Sequence, residues 1–243
     1  MGKDSKIAWT NHTFNPWWGC TKVGPGCKNC YAEGVASRFG SGWGPDHVRV
    51  FNDKHWNEPV KWDREAARAR TPARVFCGSM CDIFEYRSGE MGNVLVEQRL
   101  RLWKLIEATP ALDWLLLTKR PENIDSMIPY AWANPPPANV WYGTTVCCEG
   151  DVSNLSWLRR VPAAVRFVSV EPLLGDLGEL DLRGIHWVII GGESGPKARP
   201  CDLSAVRSIV QQCKDAAVPV FVKQLGVHPI ESVEPLIELA LQS

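Results

Sequence analysis

The chain has 243 residues and no net charge, since Lys plus Arg and Asp plus Glu each number 27. Apolar residues make up 45% and charged residues 22%, which is typical of a globular chain and excludes a disordered one. The zero net charge excludes a generally polybasic nucleic-acid-binding protein, while a local basic groove stays compatible with it. Neither a long apolar run nor an apolar signal-peptide core occurs, so we expect a cytoplasmic protein that has no membrane partner.

Short apolar runs recur along the chain, and each is followed by turn residues and then by a longer amphipathic stretch. Runs that are apolar at nearly every position are typical of strands buried on both faces, as in parallel sheets. The predicted strands are a first one near 14–18 and then 74–77, 114–117, 140–143, 165–170, 187–190 and 218–222. No stretch has the composition of an interdomain linker, so we expect one domain over residues 1–243.

Predicted helices and loops complete six or seven βα units. Helices are expected from 31 to about 38, over 95–106, after Pro121, over 203–213 with Asp202 as N-cap, and around 231–241, with loops at 40–62 and 133–138. This alternation predicts an α/β fold with a full or partial parallel βα barrel, and a doubly wound sheet is the alternative. The barrel is favoured because no Gly-x-Gly-x-x-Gly turn follows the first strand.

Polar side chains and glycines follow almost every predicted strand. Because chemistry in a βα barrel takes place at the C-terminal ends of the strands, these residues are candidates for one functional mouth. Paired glycines let a ligand approach the backbone, and a carboxylate can hold an ammonium group or a ribose hydroxyl. The alternative is a set of loop residues that happen to be polar. The candidates are Gly78, Ser79, Asp82, Lys119, Arg120, Thr144, Thr145, Glu171, Gly191, Gly192, Glu193 and Lys223.

Three of the nine cysteines share one segment with the spacing Cys-x6-Cys-x2-Cys, namely Cys20, Cys27 and Cys30. The segment bends at Gly24-Pro25-Gly26 and precedes a predicted helix, so the three sulfur atoms can converge. A [4Fe–4S] cluster held by three thiolates leaves one iron open for the amino and carboxylate groups of S-adenosylmethionine. Two alternatives stay open: unligated thiols, and a structural zinc site completed by His12, Cys77 or Cys81.

Five segments together resemble a phage-associated family of unknown function whose members carry a radical-SAM-like three-cysteine motif. They are residues 15–20, 27–32, 117–121, 169–173 and 191–195, and the resemblance extends from about residue 10 to 226. That family is similar to the radical SAM superfamily. The resemblance therefore implies a (β/α)6 TIM-type barrel, a [4Fe–4S] cluster and S-adenosylmethionine. The superfamily's first cysteine gap is commonly three residues, whereas here it is six.

The residues and the resemblance together predict a radical SAM enzyme whose cluster is held by Cys20, Cys27 and Cys30. We expect Lys119, Lys223 and Asp82 to be catalytic residues that face the substrate, together with Arg120. The expected cofactor-binding residues are Gly78, Ser79, Thr144, Thr145, Glu171, Gly191, Gly192 and Glu193.

The expected partners follow from this chemistry. Reduction of the cluster requires an electron donor such as flavodoxin or ferredoxin. The phage association points to a nucleic acid or nucleoside substrate, with modification or repair of a nucleobase in DNA as the reaction. The alternative function is a non-catalytic, zinc-stabilised nucleic-acid-binding module, which needs a fourth ligand and a basic face. A metal-dependent hydrolase is disfavoured because the five histidines form no paired metal motif.

Overall fold

The structure is a computed structural model and describes residues 2–231. Its central sheet has seven parallel strands in the order β1-β2-β3-β4-β5-β6-β8, so neighbouring strands follow one another along the chain. A doubly wound sheet reverses its strand order at a switch point, and this sheet does not. The strands are β1 His12–Phe14, β2 Ala73–Cys77, β3 Leu112–Thr118, β4 Val140–Thr145, β5 Val165–Val170, β6 Trp187–Gly191 and β8 Val220–Gln224, and a separate pair comprises β7 Cys201–Asp202 and β9 Pro229–Ile230.

Helices connect the strands of the sheet, except that β5 and β6 are joined by a segment without a helix. The helices are α1 Tyr31–Arg38, α2 Glu58–Ala69, α3 Gly89–Glu107, α4 Ile124–Met127, α5 Asn154–Arg160 and α6 Leu203–Asp215. The predictions for α1, α3 and α6 are confirmed, and Asp202 caps α6 by accepting a hydrogen bond from the Ser204 amide at 2.9 Å. Pro121 begins a 3-10 turn that leads into the short α4. Among the described residues, no helix has both the length and the apolar character needed to span a membrane.

Two sequence predictions were wrong in their bounds, and a third cannot be compared. The first strand is His12–Phe14, because the next side chain, Asn15, turns away to bind the Met80 amide at 2.7 Å. The segment 40–62 is not one loop, since it contains a 3-10 helix and the start of α2. That helix buries Trp62 on its inner face, and this burial stabilises it. The predicted helix at 231–241 lies outside the described residues beyond its first position.

The sheet is curved, and the contacts of Trp9 show the extent of its curvature. Its ring centroid is 4.7 Å from that of Phe76 in β2 and 6.4 Å from that of Phe167 in β5. One indole can contact two strands that are three positions apart only if the sheet wraps around it. The fold is therefore an α/β half-barrel of parallel strands, with β1 and β8 as the two edges of its sheet.

Alternation along the strands separates a helix-facing layer from a concave layer. On the outer face, Val75, Trp114 and Val168 belong to the main core under the helices. On the concave face, Phe76, Leu115, Phe167 and Ile189 form a second cluster with Trp9. Strand side chains alternate between the two faces with a period of two. The positions that continue the concave face toward the C-terminal ends of the strands are therefore Lys119, Thr145, Ser169, Glu171, Gly191 and Lys223. The concave face thus changes from apolar to polar at one end of the half-barrel.

The packing around Gly143 gives a test of the curled sheet. A Cβ atom at this position would lie 2.3 Å from Cζ of Phe167, so the ring fills the space that a side chain would need. We expect Gly143→Ala to lower the free energy of unfolding by about 1–3 kcal/mol, because overpacking displaces the ring. Urea unfolding followed by circular dichroism measures this change.

Gly34→Ala is the matched control, because Gly34 lies in α1 and a Cβ there meets nothing within 4 Å. Its stability should stay the same or rise by up to about 1 kcal/mol, since Ala favours a helix more than Gly does. Equal stability of the two variants would contradict the close contact between β4 and β5.

Candidate functional site

The cysteine segment lies across the polar end of the half-barrel. At Gly26, a Cβ atom would lie 2.3 Å from Sγ of Cys147 and 3.4 Å from Cε of Lys119. Cys147 follows β4 and Lys119 follows β3, so the segment rests against the C-terminal ends of these two strands. A side chain at position 26 would push the segment outward, which explains the glycine. We call residues 19–30 the cysteine loop.

The first end of the cysteine loop is held by a buried ion pair. Arg120 binds Asp82 through Nη1 at 2.8 Å and donates from Nη2 to the Thr21 carbonyl oxygen at 2.6 Å. The same Nη1 lies 3.7 Å from Sγ of Cys20. Asp82 also accepts hydrogen bonds from the Thr118 hydroxyl at 2.7 Å and from the Lys119 backbone amide at 3.2 Å. The Asp82 carboxylate is therefore fully engaged in fixing Arg120 beside the thiol.

A second buried pair supports the same end. Arg49 donates to both carboxylate oxygens of Glu85, at 2.9 and 2.5 Å, and from Nη2 to the Thr21 hydroxyl at 2.8 Å. Both side chains of the pair are about 1% exposed. Gly19 has φ +111° and packs against the Arg49 side chain, so the residues on both sides of Cys20 are held. Bidentate geometry of this kind compensates the cost of burying two charges.

The other end of the cysteine loop is tied to the loop that follows β6. Glu193 accepts hydrogen bonds from Arg199 at 2.6 and 2.9 Å and from the Asn29 amide group at 2.9 Å. Arg199 also donates to the Pro25 carbonyl oxygen at 2.9 Å. Burial opposes ionisation of Glu193, but the hydrogen bonds from Arg199 and Asn29 outweigh it and lower the pKa to about 2. Glu193 thus links the cysteine loop to the sheet.

A charged pair spans the concave face below the cysteine loop. Nζ of Lys223 on β8 lies 2.9 Å from Oε1 of Glu171, which follows β5. The Ser169 hydroxyl donates to the other carboxylate oxygen at 3.4 Å. A Cβ atom at Gly191 would lie 2.6 Å from Oε1 of Glu171, so this glycine makes the space that the carboxylate occupies. Both members of the pair keep partial exposure and can exchange their mutual contact for a ligand.

Lys119 lies among the thiols. Its Nζ donates to the Thr145 hydroxyl at 3.2 Å. Burial opposes the charged form, but nearby acidic groups outweigh it and raise the pKa of Lys119. In order of effect, these groups are Cys147, Cys27, Cys30 and Asp82. A cation is therefore fixed beneath the second half of the cysteine loop.

The other predicted residues lie at the same edge of the sheet and have partners in the protein. The Thr144 hydroxyl donates to the Thr118 carbonyl oxygen at 3.2 Å, and the Ser79 hydroxyl accepts from Asn15 at 2.9 Å. A Cβ atom at Gly192 would lie 2.6 Å from the backbone of residue 225. Gly78 has φ +97°, and its backbone amide donates to the Phe14 carbonyl oxygen at 3.0 Å. These four positions, Gly78, Ser79, Thr144 and Gly192, thus shape the mouth through backbone and hydroxyl contacts.

Several contacting residues were not singled out from the sequence. Cys147 and Arg199 follow predicted strands, so the rule that found the other strand-end residues could have found them. Tyr31 donates to the Ser79 carbonyl oxygen at 2.7 Å from the first position of α1. No sequence signal connects Arg49 with Glu85, which lie 36 residues apart.

The donor set fits an iron–sulfur group in its chemistry. Within residues 2–231 no three His, Cys, Asp or Glu side chains stand together as a metal site. The cysteine loop nevertheless offers three thiols beside two cations, and cysteine thiolates are the ligands that hold such a cluster. Burial raises the pKa of Cys20 to about 12, so a bound metal would be needed to keep this thiol ionised. His12, a candidate fourth ligand of the alternative zinc site, stacks on Trp62 under α2 with ring centroids 4.5 Å apart. It therefore lies on the helix-covered face of the sheet.

The lowered pKa of Glu193 gives a pH-dependent test. A carboxyl group whose pKa falls from 4.5 to about 2 stabilises the fold above the higher value, and this contribution disappears as the pH falls toward the lower one. Glu193→Gln should therefore lower the free energy of unfolding by about 2–3 kcal/mol near neutral pH, and the difference from the native chain should narrow between about pH 5 and 3. Urea unfolding at a series of pH values measures this.

Glu65→Gln serves as the control, because Glu65 forms an exposed pair with Lys3 and such pairs contribute little. A difference between native chain and Glu193→Gln that is the same at every pH would show that the ionised carboxylate does not hold the cysteine loop.

Comparison with known proteins identifies a family. Comparisons with curated proteins and with solved structures gave no match. A family model described as "Protein of unknown function (DUF5131)" matches residues 4–238, which include the cysteine loop and all the strand ends described above. This match confirms the resemblance to a family of unknown function, while the radical SAM relationship and the phage association stay predictions. The chain therefore belongs to DUF5131, a family of proteins of unknown function.

Proposed function

We propose that this protein is a radical SAM enzyme that uses a [4Fe–4S] cluster and S-adenosylmethionine. The observation that carries the proposal is the position of the cysteine loop. It lies on the C-terminal ends of parallel strands, with Lys119 and Arg120 beside its thiols. The curled parallel half-barrel supports the radical-SAM-like (β/α)6 TIM-type barrel that this chemistry uses. The C-terminal end of such a sheet is where βα-barrel enzymes place their active sites.

In this proposal the thiolates of Cys20, Cys27 and Cys30 would hold the cluster, and S-adenosylmethionine would bind beside it. When bound, the cluster would supply one-electron reduction of the sulfonium of S-adenosylmethionine, with the electron coming from a reduced flavodoxin or ferredoxin, and the chemistry gained is C–S cleavage to methionine and hydrogen abstraction from the substrate. The protein's task is then to position both reactants and to exclude water from the concave face.

The best candidates for contact with S-adenosylmethionine are Glu171 and, with it, Lys223, which the sequence predicts as a catalytic residue facing the substrate. They lie opposite each other on the concave face and are only partly buried. The ligand carries an ammonium group, a carboxylate and two ribose hydroxyls, which a carboxylate and an ammonium can bind. Thr145 and Gly191, the glycine that makes room for the Glu171 carboxylate, lie on the same face and would complete this surface.

Asp82 and Glu193 take a different part from the one that the sequence predicts for them. Each carboxylate is already occupied by an arginine and by further donors. Both therefore act as positioning residues for the cysteine loop in this proposal, rather than as contacts to the substrate or to S-adenosylmethionine. Thr144, Ser79, Gly78 and Gly192 support the backbone around them.

The substrate class that we propose is a nucleobase or nucleoside, in line with modification or repair of DNA. The support for it is the phage association that the sequence resemblance implies. The balanced charge of the chain favours a contact limited to the mouth over binding along a duplex, because phosphate contacts require clustered Lys and Arg.

Metal analysis of cysteine variants tests the ligand set. After anaerobic reconstitution, changing Cys20, Cys27 or Cys30 to Ala should remove most of the bound iron, because each supplies one thiolate. Cys148→Ala is the matched control, since this cysteine is partly exposed after β4 and should keep its iron. The measurements are iron and sulfide per chain and the absorbance at about 400 nm. A colourless protein that binds zinc would contradict the proposal.

Reductive cleavage tests the reaction. The reconstituted, reduced protein should convert S-adenosylmethionine to 5′-deoxyadenosine slowly, even without its substrate. Glu171→Gln should weaken binding of S-adenosylmethionine about tenfold or more, as expected for loss of a charged hydrogen-bond acceptor, and should leave the iron content unchanged. Chromatography of the products and equilibrium binding measure the two effects.

Glu179→Gln, which changes an exposed carboxylate, is the control for both measurements. A fully loaded, reducible protein that neither binds nor cleaves S-adenosylmethionine would contradict the proposed function. The cysteines would then be better explained as a structural or electron-transfer site.

A further inference from the structure

We infer that Lys119 and Arg120 form a cationic cradle for the cysteine loop, which sets the reduction potential of the cluster that the loop holds. This inference rests on the proposed function, because it concerns the cluster. It assigns to both residues a positioning and electrostatic role, which replaces the contact with the substrate expected from their sequence pattern.

The two residues reach opposite ends of the cysteine loop because they are consecutive at the end of β3. Side chains alternate between the two faces of a strand, so adjacent residues point in opposite directions. Lys119 continues the concave positions of β3 and lies beneath Gly26, with Cε 3.4 Å from the position of a Cβ atom there. Arg120 points the other way and reaches Cys20. One dipeptide thus places a cation at each end of the loop.

Arg120 is oriented by Asp82 and directed at a sulfur atom. Its Nη1 lies between the Asp82 carboxylate at 2.8 Å and Sγ of Cys20 at 3.7 Å, while Nη2 binds the Thr21 carbonyl oxygen at 2.6 Å. Arg120 is 7% exposed and Asp82 is 6% exposed, so water screens these contacts weakly. A second buried ion pair, Arg49 with Glu85, is bidentate.

Lys119 contributes a positive charge that no carboxylate pairs with directly. Among the residues described, the polar contact of its Nζ is the Thr145 hydroxyl at 3.2 Å, and its Cε lies 3.4 Å from the position of a Cβ atom at Gly26, which immediately precedes Cys27. Glu171, the carboxylate across the concave face, is bound to Lys223 instead. The charge of Lys119 is thus available to the sulfur atoms of the loop.

Such cations affect a cluster in a direction that elementary electrostatics fixes. Reduction adds one negative charge to a site that already carries three thiolates. A nearby cation or an N–H donor to sulfur stabilises the reduced form more than the oxidised form, so it raises the potential. Removing a cation should lower the potential, and removing the Asp82 carboxylate should raise it.

A redox titration of the reconstituted full-length protein, followed by electron paramagnetic resonance of the reduced cluster, tests the inference. The midpoint potential should shift to more negative values in Arg120→Gln and in Lys119→Gln. It should shift to more positive values in Asp82→Asn. Opposite shifts on removing the two members of one ion pair are expected of a charge effect, and a purely structural disturbance would not produce them.

Two further variants separate charge from geometry. Arg120→Lys keeps the cation but cannot bind Asp82, Thr21 and Cys20 together, so its potential should stay near that of the native chain while its iron content falls. Arg183→Gln is the matched control, because Arg183 forms an exposed pair with Asp181 and is 88% exposed. Its potential and iron content should not change.

The outcomes distinguish the inference from the proposed function. An iron-loaded Lys119→Gln or Asp82→Asn protein with the native midpoint potential would overturn the inference and leave the enzyme proposal intact. If Arg120→Gln fails to retain iron, these two variants still decide the question. A native chain that takes up neither iron nor sulfide would overturn both.

Discussion

The buried ion pair between Arg120 and Asp82 joins three parts of the chain that are distant in sequence. Asp82 follows β2, Arg120 follows β3, and the arginine fixes the backbone at Thr21 within the cysteine loop. Burying two charges is costly, and breaking such a pair leaves an uncompensated charge in the interior. Here the Thr118 hydroxyl and backbone amides supply the remaining hydrogen bonds of the carboxylate. The position of the first cysteine on the sheet therefore depends on this pair.

The curled sheet explains why polar groups of so many strands meet. Trp9, Phe76 and Phe167 fill the concave layer at the N-terminal end, where Gly143 gives room for the Phe167 ring. Further along the strands the same face becomes polar, for example at Lys119, Thr145 and Ser169, because alternation with a period of two keeps those side chains on the concave side. An apolar floor and a polar mouth are thus two consequences of one pattern. The cysteine loop lies across that mouth and is held at both ends by arginine–carboxylate pairs.

The helices and most strands can be predicted from the sequence because their signals are local. Asp202 precedes an amphipathic stretch and caps α6 as expected, and the apolar runs fall within β2 to β6. The predicted bounds are wrong where a long-range contact decides where an element begins or ends. The first strand ends early because Asn15 binds the backbone near Ser79, and α2 begins within an expected loop because Trp62 packs beneath it. Both contacts join residues that no short window contains together.

The sequence by itself determined that three cysteines share a bent loop before a helix, and that charged residues follow parallel strands. Both are matters of spacing along the chain. Only the tertiary structure decided which charges the protein itself uses. Glu193 and Glu171 both follow apolar strands, yet Glu193 binds Arg199 and Asn29, whereas Glu171 faces Lys223 across the concave face. A carboxylate binds the cation that folding brings within about 3 Å, and sequence distance carries no information about that choice.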